Sequence, residues 1–189
     1  MPRVPNPGPR IVTATEEEIE KLLAAAHPWL RAAIYLCSDC AIRSGEALAL
    51  RPEQIRDGQI TFTGKGQVSR TIPLSDRAAK LLAETPQGEG TVLSGLAGRT
   101  VTKMILSRAW TRLKKRCRVR AELHLHDLRR TTATKAYRET HDLFVVQQLL
   151  GHRNLISTLN YIAPHGAPEL RALIEKLKTP YAAKGESKP

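Results

Sequence analysis

The chain has 189 residues, 41% of them hydrophobic, which suits one compact domain with a real core. Its 30 Lys+Arg against 18 Asp+Glu leave a formal charge of +12, which points to a polyanion partner because neutralised phosphates release counterions; a merely basic protein is the plainer alternative. No apolar run approaches the ~18 residues of a membrane span, the first residues lack a signal-peptide core, and three cysteines argue against a disulfide framework and for a reducing, cytoplasmic setting.

Residues 1–12 read as a linker or tail, because Met1–Arg10 is basic and too rich in Pro for a helix or a packed strand. Thr15-Glu16-Glu17-Glu18 is a capping box, and Ile19, Leu22, Leu23 and Ala26 follow on one helical face. Pro28 suits the first turn of a second helix through Trp29, Ala33, Ile34 and Leu36. Cys37-Ser38-Asp39-Cys40 has the spacing of a zinc or redox pair. It lies in an apolar helical run, however, and only Cys117 remains as a further thiol, so buried packing and no metal are expected. In Ala41–Leu50, Glu46 follows Arg43 by three residues and shares its helical face; an ordinary surface ion pair, worth little, would read the same way.

Gln59–Phe62 and Ser69–Ile72 alternate and are rich in β-branched residues. They flank Gly64-Lys65-Gly66, which predicts an antiparallel hairpin with Lys65 at its tip; the GxxxxGK[ST] spacing of a P-loop is absent. Ser75 caps a helix through Leu81 and Leu82. Thr85–Gly98, with four Gly, reads as a loop with a short strand at Val92-Leu93. A long helix pattern from Arg99 to Arg118 ends in Lys114, Lys115, Arg116 and Arg118, a cluster expected to touch phosphates.

Chemistry concentrates between Leu123 and Ile162. His126-Asp127-Leu128-Arg129 puts a His and an Arg at i and i+3, on one face of a helix that starts there. An apolar run then stops at Leu150-Gly151, which leaves His152 just past a helix end, and Tyr161 follows nine residues later. Arg grips phosphate oxygens bidentately, His moves protons near neutrality, and Tyr is a covalent nucleophile once its proton is taken. The set suits phosphoryl transfer onto the protein.

HDLRR, then LLGH, then Tyr161, with 23 residues from Arg129 to His152, resembles the catalytic box of the tyrosine recombinase (phage integrase) family. Ala41–Leu50 resembles the family's first Arg motif, with Ala41-Ile42 where Thr/Gly-Leu is usual, and GKGQVSRTIPL resembles its hairpin. The resemblance implies an α+β, mostly α-helical catalytic domain with a small antiparallel β-sheet, covering residues 13–180 and followed by a flexible tail at 181–189. It implies that Arg43 and Arg129 hold the scissile phosphate, supported by Glu46. Tyr161 attacks it to give a 3′-phosphotyrosine, His126 helps remove the Tyr proton, His152 donates to the phosphate, and Lys65 protonates the leaving 5′-oxygen. Arg70 joins the basic cluster as a DNA contact. The partner is double-stranded DNA, with a multimer (a tetrameric synapse) assembled on it, and no cofactor or metal. A type IB topoisomerase-like enzyme and a non-catalytic DNA-binding module are the alternatives. Leu170, Leu173, Ile174 and Leu177 predict a last amphipathic helix; the resemblance implies that it packs on a neighbouring subunit when protomers assemble on DNA, and in a lone molecule it is expected to fold back on its own domain or stay loosely attached. Tyr161 is expected on a loosely held segment, away from Arg43 and Arg129 until DNA binds.

Overall fold

A computed structural model describes residues 11–63, 69–84 and 90–162. The organising element is α2 (Pro28–Ser38), which touches α1 (Glu16–Ala25), α3 (Ser44–Ala49), α4 (Asp76–Ala83), α5 (Val92–Ala97), α6 (Lys103–Cys117) and α7 (Leu125–Thr140). Its sequence explains this position. Leu30, Ala32, Ala33, Ile34, Leu36 and Cys37 are all buried, and the two alanines let neighbouring helices come close. α1 starts at the expected capping box: Glu18 N–H donates to Thr15 Oγ1, and Thr15 N–H donates to the Glu18 carboxylate.

The sheet has three antiparallel strands, β1 (Ile55–Arg56), β2 (Gln59–Thr63) and β3 (Ser69–Pro73), in that order. Ile60 pairs with Ile72 on the core face, and Thr61 pairs with Thr71 on the solvent face, their hydroxyls 3.1 Å apart. β1 was not expected. Asp57 and Gly58, both at positive φ, make the two-residue turn that creates it, an Asp-Gly signal legible in the sequence.

The short strand expected at Val92-Leu93 is instead the start of α5. Thr91 accepts the Ser94 N–H as an N-cap, and Gly98 closes the helix in the left-handed region. Both Val92 and Leu93 are fully buried, a demand one helical turn meets as well as a strand does. The long helix expected from Arg99 begins later, at Lys103, where Thr102 supplies the cap. The helix expected at 168–177 and the tail at 181–189 lie outside the described residues.

α8 (Leu143–Leu150) packs on α7, and α9 (Leu155–Leu159) packs on α8. A second small core holds them: Ala41, Ala133, Val146 and Leu150, with Tyr137, Leu149, Tyr161 and Ile162 packed against it. The turn leaving α2 is tied down by Asp39, whose carboxylate accepts from Ser38, Ser75 and Arg77. Burial pushes the Asp39 pKa up, but these donors outweigh it and hold the carboxyl below its usual value. The chain therefore enters Ala41–Arg43 from a fixed point.

Candidate active site

Three helix ends and one strand converge here. Arg43 is the N-cap residue of α3, Arg129 lies one turn into α7, and His152 follows the Gly151 cap of α8. Tyr161 comes just after α9, with its N–H donating to the Thr158 carbonyl. Five of the six residues expected to be catalytic thus come together; Lys65 lies outside the described residues. Arg43, Glu46, Phe62, Arg70, Gln147 and His152 are among the residues lining a cleft of about 810 Å³ beside them.

Glu46 orients Arg43 twice. One carboxylate oxygen accepts the Arg43 backbone N–H at 2.9 Å and the other accepts its Nη1 at 2.9 Å. The first oxygen also takes Arg70 Nη2 at 2.7 Å. Burial pushes the Glu46 pKa up, but the Arg43 N–H and the two guanidinium groups hold it below the usual range, so it stays charged.

Arg129 is wholly buried. Its Nη1 donates to the Ala41 carbonyl, and its Nη2 donates to the Leu150 carbonyl at 2.6 Å, while its Nε has no hydrogen-bond partner. Ala41 sits at φ 52, in the left-handed region, which turns its carbonyl onto the guanidinium. Burial and the nearby Arg43 charge lower the Arg129 pKa to about 10, which leaves it protonated at neutral pH.

His152 has its tautomer fixed by its neighbours. Arg129 Nη2, always a donor, lies 3.3 Å from His152 Nε2, so that nitrogen accepts. Nδ1 then carries the proton toward Thr158 Oγ1, 3.2 Å away. Burial first, then the Arg129, Arg43 and Arg70 charges, pull the His152 pKa down to about 4. The donor of the His152 ring is therefore directed at Thr158. His126 Nε2 lies 2.7 Å from Tyr161 Oη, and burial together with Arg129 and Arg130 lowers its pKa as well.

Tyr161 is not held away from the site, as expected from its short, sparsely apolar segment. Its ring lies under two guanidinium groups, Arg129 at 5.5 Å and Arg130 at 5.2 Å, and edge-on to His126 and His152. Its carbonyl accepts the Thr134 hydroxyl at 3.4 Å. Cation–π contacts of this kind contribute roughly 0.5–2 kcal/mol each, enough with the small apolar cluster to seat the ring.

The expected DNA-binding residues divide. Lys114 is buried and donates to the Ala121 carbonyl at 2.5 Å, so its ammonium closes a loop instead of facing solvent. Lys115, Arg116 and Arg118 are exposed, but their end of α6 lies against α1: Arg116 donates to the Ala25 carbonyl and Cys117 to that of Lys21. The half of α6 that approaches His124 and His126 carries Lys103 and Ser107. Lys115, Arg116 and Arg118 lie toward the other end of that helix. Arg70 is turned inward to Glu46 and the Leu150 carbonyl.

The sequence reading passed over Arg130, Thr134, Gln147 and Thr158. Gln147 donates to the His152 carbonyl at 2.9 Å. Arg130 sits inside the HDLRR run, next to Arg129, and the chain after α9 returns to lay the Tyr161 ring against it. Cys37 and Cys40 are both buried, with burial raising their pKa values to about 12 and about 11. They pack as expected, and no metal-ligating cluster occurs among the described residues.

The chain is 30% identical over 184 residues to tyrosine recombinase XerD of Pseudomonas aeruginosa, an alignment covering 85% of this chain and 59% of that protein. It thus spans about three fifths of that relative's length. Its fold matches that of XerA recombinase with a TM-score of 0.75 at 20% identity, covering 94% of this chain and 67% of the other. XerH site-specific recombinase, in a post-cleavage complex with palindromic difH substrate, matches with a TM-score of 0.70 at 26% identity, covering 86% and 52%. Residues 13–166 match the model of the phage integrase family, and the chain belongs to that family.

Proposed function

We propose that this chain is the catalytic part of a site-specific DNA recombinase. It cleaves and rejoins DNA strands through a 3′-phosphotyrosine. The observation that carries the reading is the 2.7 Å approach of His126 Nε2 to Tyr161 Oη, inside a site that also holds Arg43, Arg129 and His152. The XerH relative, solved in a post-cleavage complex with its DNA, supports the substrate class.

The chemistry follows from the groups. A neutral His126 accepts the phenol proton as Tyr161 Oη bonds to phosphorus. The bond from phosphorus to the 5′-oxygen breaks, and Lys65, by resemblance, returns a proton to that oxygen. Arg43 and Arg129 stabilise the charge that develops on the non-bridging oxygens. The phosphotyrosine keeps the energy of the broken ester, so a second strand's 5′-hydroxyl reverses the steps without nucleotide or metal. Exchange between duplexes needs several protomers on DNA, a tetramer for two duplexes. No helix among the described residues is long and apolar enough to cross a membrane, and the proposed setting is the DNA-containing cytoplasm.

The test is a duplex nicked just beyond the cleavage position, so that the short 5′-hydroxyl strand diffuses away and traps the adduct. A covalent protein–DNA species, mapped to Tyr161 and stable without divalent ions, is the expected result. Two labelled duplexes that exchange strands identify a recombinase; resealing of the same strand alone identifies a topoisomerase-like enzyme.

A further inference from the structure

Arg70 forks between two carriers of the site. Its Nη2 reaches the Glu46 carboxylate at 2.7 Å, and its Nη1 donates to the Leu150 carbonyl at 3.1 Å. Glu46 in turn holds Arg43, and the same Leu150 carbonyl accepts Arg129 Nη2 at 2.6 Å. One guanidinium therefore connects the two arginines of the proposed phosphate seat, each through one intermediate group. Phe62 covers it, with its ring centre 5.1 Å away. Gly151 leaves room for it: a Cβ there would lie 2.3 Å from Arg70 Nη1. Only 17% of the side chain is exposed, so it is poorly presented to a polyanion outside.

From this juxtaposition we infer that Arg70 is not a DNA contact but the positioning residue that holds Arg43 and Arg129 in one register. The inference rests on the recombinase reading above for its catalytic consequence and on the packing alone for its placement. Lys in place of Arg keeps the charge but cannot span Glu46 and Leu150 together. A displacement of about 1 Å in such a frame costs on the order of 100-fold in rate, so Arg70→Gln and Arg70→Lys both lose roughly that factor in cleavage rate at saturating DNA. The apparent affinity for DNA and its salt dependence stay unchanged, because no phosphate contact is lost.

The substrate for the catalytic arm is the nicked duplex on which wild-type protein gives the Tyr161 adduct. It is made with either an ordinary scissile phosphate or a methylphosphonate, which lacks one negative charge. A defect that acts through Arg43 and Arg129 shrinks on the methylphosphonate, whereas a general loss of folding does not. Full activity of Arg70→Lys, or a shallower salt slope with unchanged turnover, overturns the inference. The second arm needs no activity. Gly151→Ala is introduced into wild-type and Arg70→Ala protein, and thermal unfolding is followed. Part of the Gly151→Ala destabilisation disappears when Arg70 is shortened; strictly additive losses overturn the placement. Should wild-type protein form no adduct, the functional reading fails, and the unfolding cycle by itself decides where Arg70 sits.

Discussion

His126 Nε2 and Tyr161 Oη lie 2.7 Å apart, so the proposed base and nucleophile are within proton-transfer reach of each other. Tyr161→Phe removes one hydroxyl and leaves the ring against the Arg129 and Arg130 guanidinium groups. It is expected to abolish adduct formation while the melting temperature and DNA affinity stay near wild type. Peptide mapping of any residual adduct is the check, and an adduct on Tyr137 would overturn the assignment.

The two guanidinium groups predict different failures. Arg43 is partly exposed and its truncation leaves the core intact, so Arg43→Ala is expected to lose at least ~100-fold in cleavage with little change in stability, by analogy with loss of one oxyanion donor. Arg129 is buried and satisfies the Ala41 and Leu150 carbonyls, so Arg129→Ala should lose activity and stability together, an unsatisfied buried acceptor costing about 1–3 kcal/mol. Cleavage assays paired with denaturant unfolding separate the two.

The lowered histidine pKa values fix a pH window. His152 is at about 4 in the folded chain and near ~6.5 when unfolded. Between those values the unfolded chain binds a proton that the folded chain does not, so stability rises with pH over that interval. The contribution is fully present above about 6.5 and lost as pH falls toward 4. His126 acts in the same direction. Unfolding midpoints measured from pH 4 to 7 should rise with pH, and His152→Gln should flatten the curve.

Ala41 offers a stabilising change. A non-glycine residue in the left-handed region costs about 1–2 kcal/mol, and Ala41 occupies it at φ 52. Its methyl group packs with Ala133, Val146 and Leu150, which offsets part of any gain. Ala41→Gly is therefore expected to raise the melting temperature by a few degrees, since about 1 kcal/mol shifts a domain of this size by roughly 2–4 °C. A drop in calorimetry would mean the packing outweighs the strain.

The short-range signals of this chain were legible in its letters. The Thr15 capping box, the β2–β3 pairing and the Gly151 stop each depend on residues close in sequence, and each is present. The residues that finish the site were not. Thr158 is six residues from His152 but matters only because α9 turns its hydroxyl back onto that ring, and Arg130 matters because Tyr161, far along the chain, returns across α7. Lys114 misled for a related reason: a lysine in a basic run looks solvated until a loop carbonyl buries it.

Duplex DNA offers a negative charge about every 1.7 Å of its axis, so a protein moving along it meets the right ligand chemistry at every step. In this fold Arg129 is wholly buried against the Tyr161 ring and two carbonyls, whereas Arg43, the other proposed phosphate ligand, is partly exposed. On the proposed reading, the nucleophile is thus packed against one of the groups meant to hold the phosphate, and the two roles share one small volume.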